Sequence, residues 1–451
     1  MKRFIEAIAI AGIFIGLLSG CSDDKSGESG GDPYEDYEWL IPTTYPEYLT
    51  PKRVVINGES VEFTADVRDR LLAESVKPAT NQLSVYVQRR GTLEDRLSGK
   101  GMTADAIDVH GPIDATDLEY LKKCVAEGEL RSLDLSDADI EDNTIPEKMF
   151  FAPEYYYISG NYKVLSPPYL PLYRLVLPAE LENIGYCAFA NVLLTELDLP
   201  AGLKKISERS FSHNIFLGGE LNVPESIEII ESLAFFESGD GTMSISIPGV
   251  VKEVFPSAFS NLCAASINIG EGVESIGGGA FGGIVSNDKS GLKVTFPNSL
   301  KSIDTGAFRG SNIAELNLPN SLKTIGPNAF RESNVVELTL PDGLIEIMEC
   351  AFMDTPIETI NLPASLTKVE VNAFAGLPGL KKVYSFVTNP DVFAPYGDFG
   401  EDYQTAFGNL ENAGAAGSTP NDATVYVPDG CVNAYLQSVG WLWFDGNIRS
   451  M

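Results

Sequence analysis

The sequence predicts a mainly-β solenoid of stacked parallel strands, with a helical N-terminal cap and a small N-terminal module ahead of it. Three observations carry this expectation. A motif recurs nine times with anchors at Pro178, Pro200, Pro224, Pro248, Gly270, Pro297, Pro319, Pro341 and Pro363, in steps of 22, 24, 24, 22, 27, 22, 22 and 22 residues. A phenylalanine follows every anchor by 11 residues, from Phe189 through Phe211, Phe235, Phe259, Phe281, Phe308, Phe330 and Phe352 to Phe374. Ahead of each anchor, apolar residues such as Leu197 and Leu199 alternate with polar ones, the period of a half-buried strand. Self-similarity at a fixed period is the mark of a repeat architecture.

The chain opens with a targeting segment, residues 1–20. Lys2 and Arg3 precede an apolar run from Ile8 to Leu18, too short for a comfortable membrane span. The run ends in Leu18-Ser19-Gly20-Cys21, which resembles the bacterial lipobox. The resemblance implies cleavage before Cys21 and a lipid on its thiol, an anchor that needs no spanning helix. Ser22-Asp23-Asp24-Lys25 follows and resembles the surface-export signal of Bacteroidetes lipoproteins, which implies an outer-membrane lipoprotein displayed outward. Residues 21–47 are expected to be a flexible acidic tether, because Gly, Ser, Asp and Glu dominate them.

Residues 48–90 form the small N-terminal module. Asn57-Gly58 between Val54-Val55-Ile56 and Val61-Glu62-Phe63 predicts a hairpin, and Ala65 to Val76 a helix. Residues 91–174 form the cap and an atypical first repeat. The cap helix starts at Asp114, a side chain suited to bond free helical N–H groups, and stops near Gly128. Between Met149 and Arg174 the chain is irregular and tyrosine-rich.

The solenoid proper spans residues 175–385. In each copy a short strand ends at the anchor proline, which cannot donate to a ladder. A second extended piece, as in Leu203-Lys204-Lys205-Ile206, turns inward, and Ala-Phe closes the coil (Ser-Phe at Ser210). One copy buries too few side chains to order its own backbone, so neighbours must stack. The pattern LxLPxxLxxIxxxAF resembles the BspA-like, or Treponema-type, leucine-rich repeat. The resemblance covers about residues 91–451 and implies a leucine-rich-repeat solenoid. It also implies closing segments, here Gly91-Thr92-Leu93 and Leu133-Asp134-Leu135-Ser136 upstream, and Val425-Tyr426-Val427-Pro428 and Gly440-Trp441 within a C-terminal cap over 386–451. The step from Gly270 to Pro297 carries five extra residues around Gly282 to Gly291, expected to bulge as a loop.

Composition narrows the function. Acidic residues outnumber basic ones 63 to 32, for a formal charge of -31, so a phosphate backbone would be repelled and no nucleic-acid partner is expected. With Cys21 lipidated, Cys124, Cys187, Cys263, Cys350 and Cys431 remain, scattered and odd in number. They suit neither a disulfide framework nor a zinc site and read as small buried hydrophobes. Cys187 and Cys350 share a repeat position but lie seven coils apart, beyond bridging range.

The leading candidate site is the exposed side of the first strands, expected to line a concave face. Two residues before the anchor the column reads Val176, Asp198, Asn222, Ser246, Asn268, Thr295, Asn317, Thr339, Asn361. Four before, it reads Arg174, Glu196, Glu220, Ser244, Ser266, Lys293, Glu315, Glu337, Thr359. Regularly spaced amides and carboxylates could bond a host extracellular protein or a glycan. The same ladders would serve equally as a solvated face that stabilises stacked strands. Tyr155, Tyr156 and Tyr157, with Tyr162, Tyr169 and Tyr173, form a second candidate, since tyrosine offers flat contact area with a polar tip. The alternative for them is an insertion packed over the first coil.

Catalysis finds little support in the residues. His110 and His213 sit in different structural units and read as structural, and no GxSxG, HExxH or phosphate-binding glycine loop occurs. The glycines at Gly277-Gly278-Gly279 and Gly282-Gly283 fall at repeat turns. No DxDxDG loop for calcium is present, and neither cofactor nor metal is expected. The reading is a non-enzymatic surface binder. The family resemblance implies adhesion to host matrix proteins and coaggregation. A glycan-handling lipoprotein of a polysaccharide-uptake system, or a structural spacer, are the alternatives.

Overall fold

The computed structural model describes residues 53–151, 155–158, 162–165, 168–288, 290–313, 315–393, 404–409, 419–444 and 446–451. The targeting segment, Cys21 and the tether lie outside them. One hydrophobic core runs from Val87 to Ile448, and each repeat adds one coil to it.

The phenylalanines form the spine. Eleven rings, from Phe150 through the nine repeat positions to Phe407, stack face to face with centroids 5.2–5.8 Å apart. All the repeat rings are fully buried. The expected column therefore holds, and one ring extends it at each end. Leu197 is buried and Leu199 packs against the core, as the alternation requires.

Two strand layers flank the spine. The inner strands, such as Lys205–Ile206 and Ser302–Ile303, pair in parallel in register, each placing an aliphatic side chain inward. The first strands form the other layer. Their expected single slab is instead three parallel sheets. One runs Gln82–Tyr86, Ala106–Ile113, Ser132–Ile140, Arg174–Val176. The second runs Glu220–Asn222, Met243–Ile247, Ala264–Ile269, Lys293–Thr295. The third runs Glu337–Thr339, Thr359–Leu362, Lys382–Ser385, Thr424–Val427, Ile448–Ser450. The copies at 196–198 and 315–317 fall between them. In both places the repeat sets one glutamate beside the next, Glu196 before Glu220 and Glu315 before Glu337. Like charges directly across a ladder oppose pairing on that side of each copy; on the other side the neighbours are Arg174 and Lys293, of opposite charge.

A third stack holds the turns together. The residues 9 and 13 after each anchor have positive φ without exception, from Cys187 (φ 52) and Asn191 (φ 59) to Asn372 (φ 57) and Gly376 (φ 65). Alternating right- and left-handed residues turn every second N–H to the same side. Thus Cys187, Phe189 and Asn191 donate to the carbonyls of Glu208, Ser210 and Ser212 on the next coil, and the pattern repeats down the stack. Buried hydroxyls satisfy the phenylalanine carbonyls: Ser333 Oγ donates to Phe330 O at 2.7 Å, Thr355 Oγ1 to Phe352 O at 2.8 Å, and Ser311 Oγ to Phe281 O at 2.7 Å.

Both ends are closed. The cap helix Ala115–Ala126 begins as expected at Asp114, whose side chain accepts from the Thr116 and Asp117 amides. Buried Asp117 in turn accepts from the Gly91, Leu93 and Asp114 amides, so its carboxylate ties the chain ahead of the cap to the helix. At the far end the last turn amides, Asn372 and Phe374, donate to Thr405 and Ala406. Trp441 covers Phe407 with centroids 5.3 Å apart, and the Tyr435 hydroxyl donates to Val387 O at 2.7 Å.

The hairpin forms as expected, Arg53–Ile56 against Glu59–Glu62 around Asn57-Gly58, followed by the helix Ala65–Ser75. It does not stand apart. Val55 N–H donates to Tyr169 O at 2.9 Å, and Tyr169 N–H to Arg53 O at 2.7 Å. Val54 and Leu71 bury against Tyr169, Tyr173, Leu193 and Phe216, so the hairpin and helix dock on the flank of the first coils. The five extra residues form a loop as expected: after Val285, which bridges to Cys263, Asn287, Asp288 and Ser290 are exposed and in no strand, and Asn287 Nδ2 ties the loop back to Asp240 O at 2.9 Å.

Candidate functional site

The three first-strand sheets present the predicted columns outward. Alternation decides this: Leu221, Ile245 and Ile267 point to the core, so Glu220, Asn222, Ser244, Ser246, Ser266 and Asn268 must face the other way. Glu196, Asp198, Glu220, Asn222, Asn268, Glu315, Asn317, Glu337 and Thr339 are exposed, and Asn361 is half-buried. Within the second and third sheets the outward columns keep their register from coil to coil. Glu220, Ser244, Ser266 and Lys293 form one row, and Glu337, Thr359, Lys382 and Thr424 another. Glu196–Asp198 and Glu315–Asn317 share the orientation but not the ladder.

Part of the polar array satisfies itself. Ser266 Oγ donates to Ser244 Oγ at 2.9 Å, and Asn361 Nδ2 to Thr339 Oγ1 at 3.3 Å. The charges are less provided for. Glu196 lies 3.9 Å from Arg174 Nε, a loose pair. Among the described residues Glu220, Glu315 and Glu337 make no ion pair.

Space opens at the second gap in the ladder and at the end of the first sheet. A cleft of about 300 Å³ lies between the coils at Asn317 and Thr339, with Asn320 and Asp342 on its walls. A second, of about 360 Å³, lies where the strand Ser132–Ile140 outruns its neighbour, lined by Asp137, Asp139, Asn143 and Glu180. Motif reasoning found the columns but neither cleft. A cleft depends on where pairing fails, which the repeat consensus does not encode.

Tyr155 to Tyr157 lie on the strand Tyr155–Ile158, which pairs antiparallel with Tyr162–Leu165; their side chains lie outside the described residues. Tyr169 and Tyr173 are buried in the docking cluster of the hairpin and are not available to a ligand. His213 sits against Glu237 at 3.3 Å and edge-on to Phe236, in the turn stack. Among the described residues the cysteines are free and no cluster of ligating side chains could hold a metal ion. Burial pushes the Cys124 and Cys263 thiols up to about 11, away from reactivity. Among the described residues no helix is long and apolar enough to cross a membrane.

Coils with an aliphatic strand, an inward second strand and a capped core define a leucine-rich-repeat solenoid. Its repeats belong to the BspA type leucine rich repeat region, whose family model matches six copies over residues 169–287 and 252–381. No curated protein matches the chain. Three solved structures are similar. A leucine-rich repeat protein from Bacteroides ovatus ATCC 8483 shares 20% identity over 74% of this chain and 85% of that one, with a TM-score of 0.33. The pneumococcal vaccine antigen PcpA shares 14% over 89% and 86%, with a TM-score of 0.34. A leucine rich cell surface protein from Faecalibacterium prausnitzii A2-165 shares 14% over 89% and 86%, with a TM-score of 0.29.

Proposed function

We propose that this chain is a lipid-anchored cell-surface binding protein whose first-strand face engages a basic segment of a host extracellular protein. The observation that carries the reading is the row of outward glutamates, of which Glu220, Glu315 and Glu337 have no cationic partner among the described residues. Each glutamate is carried on a stacked coil, Glu220 and Glu337 on paired strands, so the protein loses little freedom on binding. The chain's charge of -31 adds long-range attraction for a basic partner. Anchoring at Cys21 would hold this face at the outer surface of the cell.

The test uses soluble protein from residue 48 to 451, screened against host matrix proteins and glycans. A variant with Glu196, Glu220, Glu315 and Glu337 all changed to Gln should keep its fold. Four exposed pairs at roughly 0.5 kcal/mol each amount to about 2 kcal/mol, a loss of roughly 30-fold in affinity. Wild-type binding should weaken with added salt. Capture that is indifferent both to the four substitutions and to salt would refute the proposal.

A further inference from the structure

We infer that Ser84, His110 and Asp137 form a hydrolytic centre for short acyl esters on the exposed face of the N-terminal cap sheet. The three residues come from neighbouring parallel strands, Gln82–Tyr86, Ala106–Ile113 and Ser132–Ile140. Ser84 Oγ lies 3.0 Å from His110 Nε2, and His110 Nδ1 lies 3.1 Å from Asp137 Oδ2. With Nδ1–H donating to the carboxylate, Nε2 is left as the acceptor for the serine hydroxyl. That is the connectivity of an activated nucleophile: a hydroxyl, a base in reach of it, and a third group that sets the base's tautomer.

Sequence spacing could not show this. The three residues lie 26 and 27 positions apart and follow no motif, so His110 reads as structural. An irregularity in the sheet completes the set. Asp108 pairs with Asp134, yet His110 pairs with Asp137, so one extra residue stands in the third strand. Without that bulge Ser136 would stand opposite His110. Bulges re-aim side chains in this way beside active sites.

The surroundings suit an ester. Ser84 is exposed, and the His110 side chain is 35% exposed. Ser84 also sits on an edge strand. Val87 N–H donates inward to His110 O, and Arg96 reaches Tyr86 O from outside. Alternation along a parallel edge strand then points the Ser84 amide outward, free to donate to an oxyanion. Asp108, Asp134 and Asp137 repel anionic acyl groups; Gln82 Nε2 bonds Asp108 at 2.7 Å. The cleft that Asp137 lines lies on the side away from Ser84. The substrate class is therefore a short O-acyl ester of a neutral or cationic carrier.

The chemistry needs only ester and water. Ser84 Oγ attacks the carbonyl carbon while His110 Nε2 takes the hydroxyl proton. The bond to the leaving alcohol breaks as His110 returns that proton to it. Water then attacks the acyl-serine, giving its proton to His110, and the acid departs as Oγ recovers a proton. Asp137 touches no reacting atom and is a positioning residue.

The full chain should hydrolyse p-nitrophenyl acetate and take up a fluorophosphonate probe at Ser84, located by peptide mass mapping. A positioned base contributes about 10²–10⁴-fold, so Ser84→Ala and His110→Gln should each lower the rate at least about 100-fold with circular dichroism unchanged. Asp137→Asn should lower kcat more than it raises KM and shift the acid limb of the pH profile. Ser136→Ala should change nothing. Hydrolysis that persists in folded Ser84→Ala would mean a bare imidazole at work and would overturn the inference. So would probe labelling spread evenly over surface serines.

Discussion

Gly306 offers a measurement of what the turn stack demands of the backbone. It occupies the position nine residues after its anchor, at φ +61, where every other copy is also left-handed. A Cβ built there meets nothing closer than Arg309 Cβ at 3.9 Å, so an added methyl fits without a clash. Gly306→Ala therefore isolates the conformational term. Left-handed backbone costs an L-residue about 1–2 kcal/mol, and the stiffer unfolded chain returns about 0.4–1 kcal/mol. The net expectation is a destabilisation of about 1 kcal/mol. Gly306→Asn should be milder, because asparagine tolerates this region and already fills the same place at Asn328 and Asn372. Gly249 is the contrast. It has no positive φ, but a Cβ there would lie 1.7 Å from Glu271 O on the next coil. Gly249→Ala must push coils apart and should cost well over 2 kcal/mol. Urea unfolding of the three variants, followed by circular dichroism, supplies the numbers. A neutral or stabilising Gly306→Ala, or a Gly249→Ala no worse than it, would refute the account of the stack.

Three further outcomes are expected. Phe308 stacks on Phe281 at 5.3 Å and on Phe330 at 5.5 Å; Phe308→Ala should cost about 4 kcal/mol and Phe308→Leu about 1–2 kcal/mol, read from urea midpoints. Ser333→Ala leaves the buried Phe330 carbonyl without its hydroxyl partner and should cost about 1–2 kcal/mol in the same assay. Burial raises the pKa of Asp304, so its charge opposes folding above the folded pKa, and this penalty disappears as pH falls below the unfolded value. Asp304→Asn should therefore raise the thermal midpoint at pH 7 and leave it little changed in acid; an equal gain at both pH values would show that the charge is not the cause.

Features written locally were legible in the chain. Asn57-Gly58 requires a two-residue turn, and Asp114 stands where a helix needs its free amides bonded, so both could be read from a few neighbours. The phenylalanine column was legible for a different reason. Nine copies at one spacing force equivalent residues into equivalent places, whatever the coil geometry. The left-handed columns left a fainter trace, in Gly279, Gly306, Asn328 and Asn372 at one position and Asn191, Asn261, Gly283 and Gly310 at the other. Cys187, Arg209 and Leu233 at the first position conceal it.

The sequence alone determined that the chain must stack, which side chains form the spine, and which polar residues face outward. Those follow from periodicity, and periodicity survives without knowledge of contacts. Only the tertiary structure decided where the outer ladder breaks, where the hairpin docks, and that a bulge sets Asp137 beside His110. Each of these depends on pairings between residues remote in the chain, where a shift of one position exchanges one neighbour for another.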